Sequence, residues 1–138
     1  EKMTLKFEIP IEPKAQKRHR HHKWGIYDPS SSDKKEIRKA ILKSVPKEPF
    51  ESAIVLHIHF KCKRPKSHYG TGKNKEIIKQ KALHLMKTTK PDLDNYIKLY
   101  MDVFSGLFWK DDNQVIQINS SKCYADNYPR AEVMITEV

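Results

Sequence analysis

The stretch KPDLDNYIK, Lys90 to Lys98, sets Asp92 and Asp94 one residue apart behind a proline and places Lys98 four residues past Asp94. Further on, FWKDDNQV adds Asp111 and Asp112. Carboxylate oxygens are the ligands Mg²⁺ prefers, and because that ion keeps several of its waters, two or three carboxylates suffice to hold it. An ion so held polarises a phosphoryl oxygen, lowers the pKa of a water and steadies a leaving 3′ oxygen. A lysine beside the carboxylates offsets charge on a pentacovalent phosphate or positions the water. The residue types therefore suit metal-assisted cleavage of a phosphodiester. Each cluster alone also has a plainer explanation. Asp92 and Asp94 would complement a helix dipole, with Asp94 and Lys98 a surface pair, and Asp111–Asp112 would be a polar turn.

The rest of the chain makes the first explanation stronger. Residues 1–90 hold 23 Lys and Arg against 9 Asp and Glu, a charge of +14, whereas residues 91–138 hold 4 against 8, a charge of −4. A cationic surface of that size attracts polyanions and releases their counterions on binding. Mutually repelling carboxylates gathered in the acidic third make sense if a divalent cation neutralises them. The acidic island would carry metal and the basic surround would carry nucleic acid. No apolar run approaches the roughly 20 residues of a membrane helix, and the start EKMTLKFEIP has no secretory core. Cys62 and Cys123 match no metal spacing and read as reduced thiols. A cytoplasmic protein with no membrane partner is expected.

The 138 residues suit one domain, 1–138, with one core. TLKFEIPI (4–11) alternates like a strand. Residues 13–33 lack apolar periodicity and read as a long basic loop, followed by a helix over 34–44 capped by Asp33 or Ser32 with Ile37 and Ile41 inward. In 51–63, Ile54, Leu56, Ile58 and Phe60 share one face of a strand and Val55, His57, His59 and Lys61 the other. A polar loop, 64–75, precedes a short helix over 75–86. Pro91 suits the first turn of a helix running to about Phe104. Its stripe is Leu93, Ile97, Tyr100, Met101 and Phe104, and Gly106 is its C-terminal cap. Strands follow at 112–125, with Val115 on one face and Ile116 and Ile118 on the other, and at 131–138, with Val133 and Ile135 inward. The order predicts an α+β fold, a mostly antiparallel sheet with helices packed on one face.

Residues i and i+2 of a helix point about 200° apart, so Asp92 and Asp94 converge only if Asp92 lies in the turn before the helix. The expectation is that the two clusters, Asp92 with Asp94 and Asp111 with Asp112, meet around one hydrated cation, the turn at 111–112 folding back by a chain reversal near Gly106.

The segment KPDLDNYIKLYMDVFSGLFWKDDNQV resembles the signature of the RusA-type Holliday-junction resolvases: a [K/R]-x-D-x-D-N-x-x-K helix start, an aliphatic and aromatic middle, then F-W-x-D-D-x-Q-V. IPIEPKAQKRHRHHKWGIYDP is similar to the phage and Gram-positive branch, where a strand leads into a basic run and then an aromatic-Asp-Pro. The resemblance implies one RusA-like endonuclease domain that is homodimeric and Mg²⁺-dependent, with Mn²⁺ a possible substitute. It would resolve four-way DNA junctions by paired symmetric nicks in recombination and repair. Carried over by position, the catalytic and metal-binding acids are Asp92, Asp94 and Asp112, the catalytic lysine is Lys98, and Asp111 is a weaker candidate. A two-fold junction cut twice also suits a two-fold dimer.

Lys14, Lys17, Arg18, Arg20 and Lys23 are the candidate DNA-binding residues, arginine being able to grip phosphate with two hydrogen bonds. His19, His21 and His22 among them suit phosphate better than metal. Trp24 and Tyr27 would stack on bases or pack against the body. Lys66, His68, Lys73 and Lys75 offer a second backbone contact. His57 and His59 face solvent or DNA. Leu107, Phe108 and Trp109 belong to core or interface. Two rivals stand beside the resolvase. A restriction-type PD-(D/E)xK nuclease finds its Pro91-Asp92, but no Asp/Glu-x-Lys follows. A non-catalytic basic DNA-binding protein would leave an acidic cluster that repels DNA.

Overall fold

The computed structural model describes residues 3–18, 20–22 and 25–138, with the backbone alone for residues 20–22, 26 and 27. His19, Lys23 and Trp24, and the side chains of Arg20, His21, His22 and Tyr27, lie outside what is described.

Strand β1 (Thr4–Ile9) is followed by two short strands, β2 (Arg20–His22) and β3 (Gly25–Tyr27). These two pair antiparallel, with Arg20 opposite Tyr27. The segment read as one long loop thus contains a small ribbon, whose three-residue strands are too short for a periodicity to show. Helix α1 (Ser31–Ile41) starts three residues before the expected boundary and ends in a 3-10 turn, Leu42–Ser44. Its N-cap is Ser30, not Asp33 or Ser32. The Ser30 hydroxyl leaves the helix uncapped because it accepts from Lys17 N at 2.8 Å.

Strand β4 (Ile54–Cys62) alternates buried and half-buried residues along its whole length. Helix α2 (Leu93–Phe104), strand β5 (Val115–Tyr124) and strand β6 (Arg130–Glu137) complete the fold. The main sheet has the order β1-β6-β4-β5. The β1–β6 and β6–β4 pairs are antiparallel and β4–β5 is parallel, as a crossover through α2 requires. The fold is α+β and mostly antiparallel, as expected.

One apolar core lies between the sheet and the two helices. Ile54, Leu56, Ile58 and Phe60 of β4, Val133 and Ile135 of β6, and Ile37 and Ile41 of α1 all join it. From α2 come Tyr96, Leu99, Tyr100, Val103 and Phe104. Each side chain of this size contributes about 1.5–3 kcal/mol on burial. Leu93, Ile97 and Met101, expected in the buried stripe, only pack against the rim of the core. Aromatic rings fasten α2 to β4: Phe60 stacks on Tyr96 at 4.9 Å and meets Tyr100 edge-on at 5.1 Å. Phe108 and Trp109 are fully buried, so the core reading of that trio holds.

Two expectations fail on this framework. No α-helix forms over 75–86, where the helical structure is a single 3-10 turn at Gln80–Ala82. Ile77 is 60% exposed and Met86 80% exposed, so the loose periodicity had no surface to pack on. On β5, a register shift against β4 pairs Ile54 with Val115 but Leu56 with Ile118. An extra residue at Ile116 resets the alternation, and Ile118 joins the side of Val115 rather than that of Ile116.

Candidate active site

Helix α2 positions the first carboxylates. Asp92 is its N-cap, with extended backbone, and Asp94 lies in its first turn. Pro91, in a cis peptide bond with Lys90, precedes the cap and does not sit in the first turn as expected. Both aspartates and Lys98 are exposed. Among the described residues, no hydrogen bond or ion pair engages the side chains of these three, so they are free to meet a ligand. Lys90, Pro91, Asp92 and Asn95 line a cleft of about 570 Å³. The approach to the helix is pinned by Lys122 of β5, whose Nζ donates to Thr89 O and Pro91 O, both at 2.8 Å.

The basic N-terminal segment is docked against the same helix. Lys14 N donates to Tyr100 Oη at 3.2 Å, and Gln16 N to Asn95 O at 2.9 Å. Lys17 N is held by Ser30, as above. Asp28 accepts from Gln16 Nε2 at 3.2 Å, from Ser30 N at 2.9 Å and from Lys34 Nζ at 2.7 Å. The Lys34 hydrogen bond, then that from Ser30 N, hold its carboxyl well below the ordinary range, at about 2. The segment Lys14–Arg18 therefore lies beside the first turns of α2, with Lys17 and Arg18 exposed and Lys14 half-buried. Gln16, Asp28 and Ser30 were not singled out from the sequence. Only the aromatic-Asp-Pro pattern pointed toward Asp28, and nothing marked Gln16 or Lys122.

The second carboxylate pair lies at the other end of the helix. Gly106, with φ of +85°, sits just past the α2 C-cap as expected, and its N–H donates to Trp109 O at 2.6 Å. Asp111 caps the 3-10 turn Asp112–Gln114, accepting from Asn113 N while the Gln114 side chain accepts from Asp111 N. Gln114 Nε2 also donates to Phe50 O and Ser52 O, at 2.8 and 2.9 Å. Asp111 and Gln114 are thus explained by the turn they build. Asp112 is exposed, and its Oδ1 accepts from Trp109 Nε1 at 2.8 Å. One of its oxygens is oriented by a buried indole and the other is open.

The twelve residues of α2 rise about 17 Å. Two carboxylates sharing a Mg²⁺ need oxygens within about 4 Å of each other. Asp92 and Asp94 at the helix start and Asp112 beyond its end therefore do not meet in one pocket within a single chain. Consistent with that, no three His, Cys, Asp or Glu side chains among the described residues are grouped to hold a metal ion. The carboxylate donors have the right chemistry for a hard cation, and the chain sets them in two separate places.

Other candidates sort themselves by burial. His68 is buried, 3.2 Å from Arg64 Nη1 and edge-on to Tyr124 at 4.6 Å, and so is removed from any DNA contact. Lys66, Lys73 and Lys75 remain exposed. Arg64 is itself buried, donating to Ala82 O and Ala125 O, and it ties the long connection before α2 to the sheet edge. His57 and His59 lie on the outer face of the sheet, half-buried, in a 500 Å³ hollow with Lys6, Glu8, Glu132 and Met134. Burial, then Lys61 and His57, hold His59 below its usual pKa, and its Nδ1 is 2.6 Å from Ser121 Oγ. That hollow is on the sheet face opposite the helices, away from Asp92.

Residues 10–136 match the family described as Endodeoxyribonuclease RusA. The chain is similar to the uncharacterized protein YqaN of Bacillus subtilis, 36% identical over 140 residues, covering 97% of this chain and 96% of that protein. It is also similar to the crossover junction endodeoxyribonuclease rusA of Lactococcus phage r1t, 29% identical over 117 residues, covering 84% and 80% of the two. With the Asp92–Lys98 and Trp109–Gln114 motifs inside the matched span, the protein belongs to the endodeoxyribonuclease RusA family.

Proposed function

We propose that the protein is a Mg²⁺-dependent endodeoxyribonuclease that resolves four-way DNA junctions by paired symmetric nicks, working as a homodimer in the cytoplasm in recombination and repair. The observation that carries this reading is the docking of Lys14 and Gln16 onto Tyr100 and Asn95. It sets the start of the cationic run beside carboxylates that no protein group occupies. Asp92 and Asp94 would hold the ion, with Mn²⁺ a substitute, and Asp112 would join them only from the second protomer of the homodimer. A bound cation of this kind supplies charge neutralisation at the scissile phosphate and a more acidic water.

The chain's own residues do the rest. Lys17, Arg18 and the basic residues that follow grip the flanking phosphates and set the strand over the start of α2. Lys98, one turn beyond Asp94, presents its ammonium toward the same solvent space and offsets charge as the phosphate becomes pentacovalent. Lys122 and Asn95 are positioning residues, because they fix the backbone from which Asp92 projects. A phosphodiester resists attack partly by its own negative charge. A cationic surround that draws it in, with an acidic centre that binds a cation, answers both requirements at once.

The test is incubation with a synthetic four-way junction and with linear duplex of the same sequence, with and without Mg²⁺. Cleavage of the junction in preference to the duplex, only with the metal, is expected. A protein that binds both and cuts neither would be a DNA-binding module, and one that cuts the duplex equally well would be a restriction-type nuclease.

A further inference from the structure

More than half of the positive excess in the first 90 residues lies in the connection from β4 to α2. Residues 63–90 hold nine Lys and Arg against one acid, Glu76, a charge of +8 out of the +14. Only short 3-10 turns form there, so its shape comes from one buried side chain rather than from a helix. Arg64, 7% exposed, donates to Ala125 O at 2.8 Å, to Ala82 O at 2.9 Å and to Leu83 O at 3.4 Å, and its Nη1 is 3.2 Å from His68 Nδ1. Tyr69 bridges to Ile78, and Lys79 N donates to His68 O at 2.8 Å. The connection is thereby folded against Tyr124 and Ala125 at the end of β5.

The partners of Arg64 are three carbonyls and an imidazole, and no carboxylate among the described residues pairs with it. A buried guanidinium without a counter-charge is unfavourable, and an anion brought beside it relieves that. Space for one is present. Arg64 lines a cleft of about 460 Å³ together with Lys63, Lys66, Lys87, Thr89 and Tyr124, and no carboxylate lines it. Lys63 and Lys66 are exposed. Arg64 and Lys87 both lie over the Tyr124 ring, at 5.7 and 5.9 Å, whose π face favours cations. The cleft also borders the candidate active site. Thr89 lines it, while the adjacent Lys90 lines the cleft of Asp92. Lys87 Nζ donates to Thr89 Oγ1 at 2.8 Å and to Lys90 O at 3.0 Å, which fixes the wall between the two. From Thr89 to Asp92 the chain spans at most about 11 Å, and a DNA strand advances about 3.4 Å for each nucleotide.

We infer that this cleft is a phosphate subsite, in which Lys63, Lys66 and the buried Arg64 grip the DNA backbone about three nucleotides from the phosphate at Asp92. The inference rests on the proposed nuclease reading for which phosphate is cut, and adds a second grip beside the Lys14–Arg18 run. Glu12, which accepts from Lys63 N at 3.0 and 3.3 Å, ties the two basic segments together. A grip on a non-reacting phosphate is the same before and during the cut, so the cleft governs affinity and register rather than rate.

The test combines Lys63→Gln with Lys66→Gln, two exposed positions whose change leaves the Arg64 anchor in place. Binding to a synthetic four-way junction is measured in EDTA across a range of salt. The double variant should bind about 10-fold or more weakly at 0.1 M salt, and the slope of log K against log salt should become shallower by about 1.8, at about 0.9 for each lost contact. Its single-turnover nicking rate at saturating protein in Mg²⁺ should stay within about two-fold of the unaltered protein. Ethylation of single phosphates should interfere with binding of the unaltered protein about three nucleotides from the cut, and that interference should vanish in the variant. An unchanged slope and interference pattern would overturn the subsite. So would an equal loss from Lys39→Gln with Lys43→Gln, two exposed lysines on and just past α1, because charge alone would then explain it. A saturated rate that falls as far as the affinity would also overturn it, by placing these lysines in the chemistry. If the slope and the interference change as expected in a protein that cuts no junction, with positions then counted from the junction centre, the subsite stands and the proposed activity falls.

Discussion

Asp92, Asp94, Asp112 and Lys98 are four exposed side chains whose surroundings differ in ways that separate chemistry from architecture. Asp111, adjacent to Asp112, is spent on the 3-10 turn, and Asp102 is drawn toward Lys34 at 3.6 Å. Lys98 has no such engagement among the described residues. Lys98→Ala should therefore lower the rate of junction nicking by about 100-fold while leaving junction affinity nearly unchanged. Equal losses in rate and binding would make Lys98 a backbone clamp. Asp28 makes the opposite kind of prediction. Its carboxyl is held at about 2 in the folded chain against an ordinary 3.8. A depressed acid stabilises the fold above its unfolded value and loses that contribution as pH falls through the folded value. Between about pH 4 and pH 2, Asp28→Asn should therefore show a shallower loss of stability than the unaltered protein. Denaturant midpoints measured across that range check it, and parallel curves would contradict it.

The elements that carry these residues were legible to different degrees. β4 and β6 were clear because their buried side chains alternate without interruption. The existence of α2 was clear from its periodicity, but its face was misjudged. Tyr96, Leu99 and Val103 are buried, and the stripe read through Leu93, Ile97 and Met101 is a flank. An apolar helix next to an edge strand has two apolar sides, and periodicity alone does not say which one meets the sheet. The bulge at Ile116 and the β2–β3 ribbon were hidden because one inserted residue and three-residue strands leave no period to read. The carboxylate positions themselves were legible, whereas their separation along α2 was not, since adjacency in sequence says nothing about which end of a helix a turn occupies. Gly106, read as the cap, holds a φ of +85° with open space around its Cα. Gly106→Ala should therefore cost about 1–2 kcal/mol by backbone strain alone. Thermal or urea unfolding reads this directly, and a neutral result would mean that the turn shifts to accept a side chain.

In the molecule as a whole, the +14 and −4 portions of the sequence meet at the start of α2, where the basic segment docks mainly by backbone hydrogen bonds, with Lys17 also 3.7 Å from Asp33. Lys17 and Arg18 remain exposed at the surface. Junction affinity should fall steeply with salt, the slope of log K against log salt being about −0.9 for each phosphate contacted. A flat response would remove the Lys14–Arg18 run from the DNA. The most direct measurement is junction cleavage by the unaltered protein and by Asp92→Asn, side by side in Mg²⁺, with binding measured on the same substrate. The expected result is that the substitution abolishes cutting and preserves or tightens binding, because it removes a negative charge beside the phosphates and the ligand that holds the ion. Undiminished cutting by Asp92→Asn would contradict the assignment of these carboxylates to the chemistry.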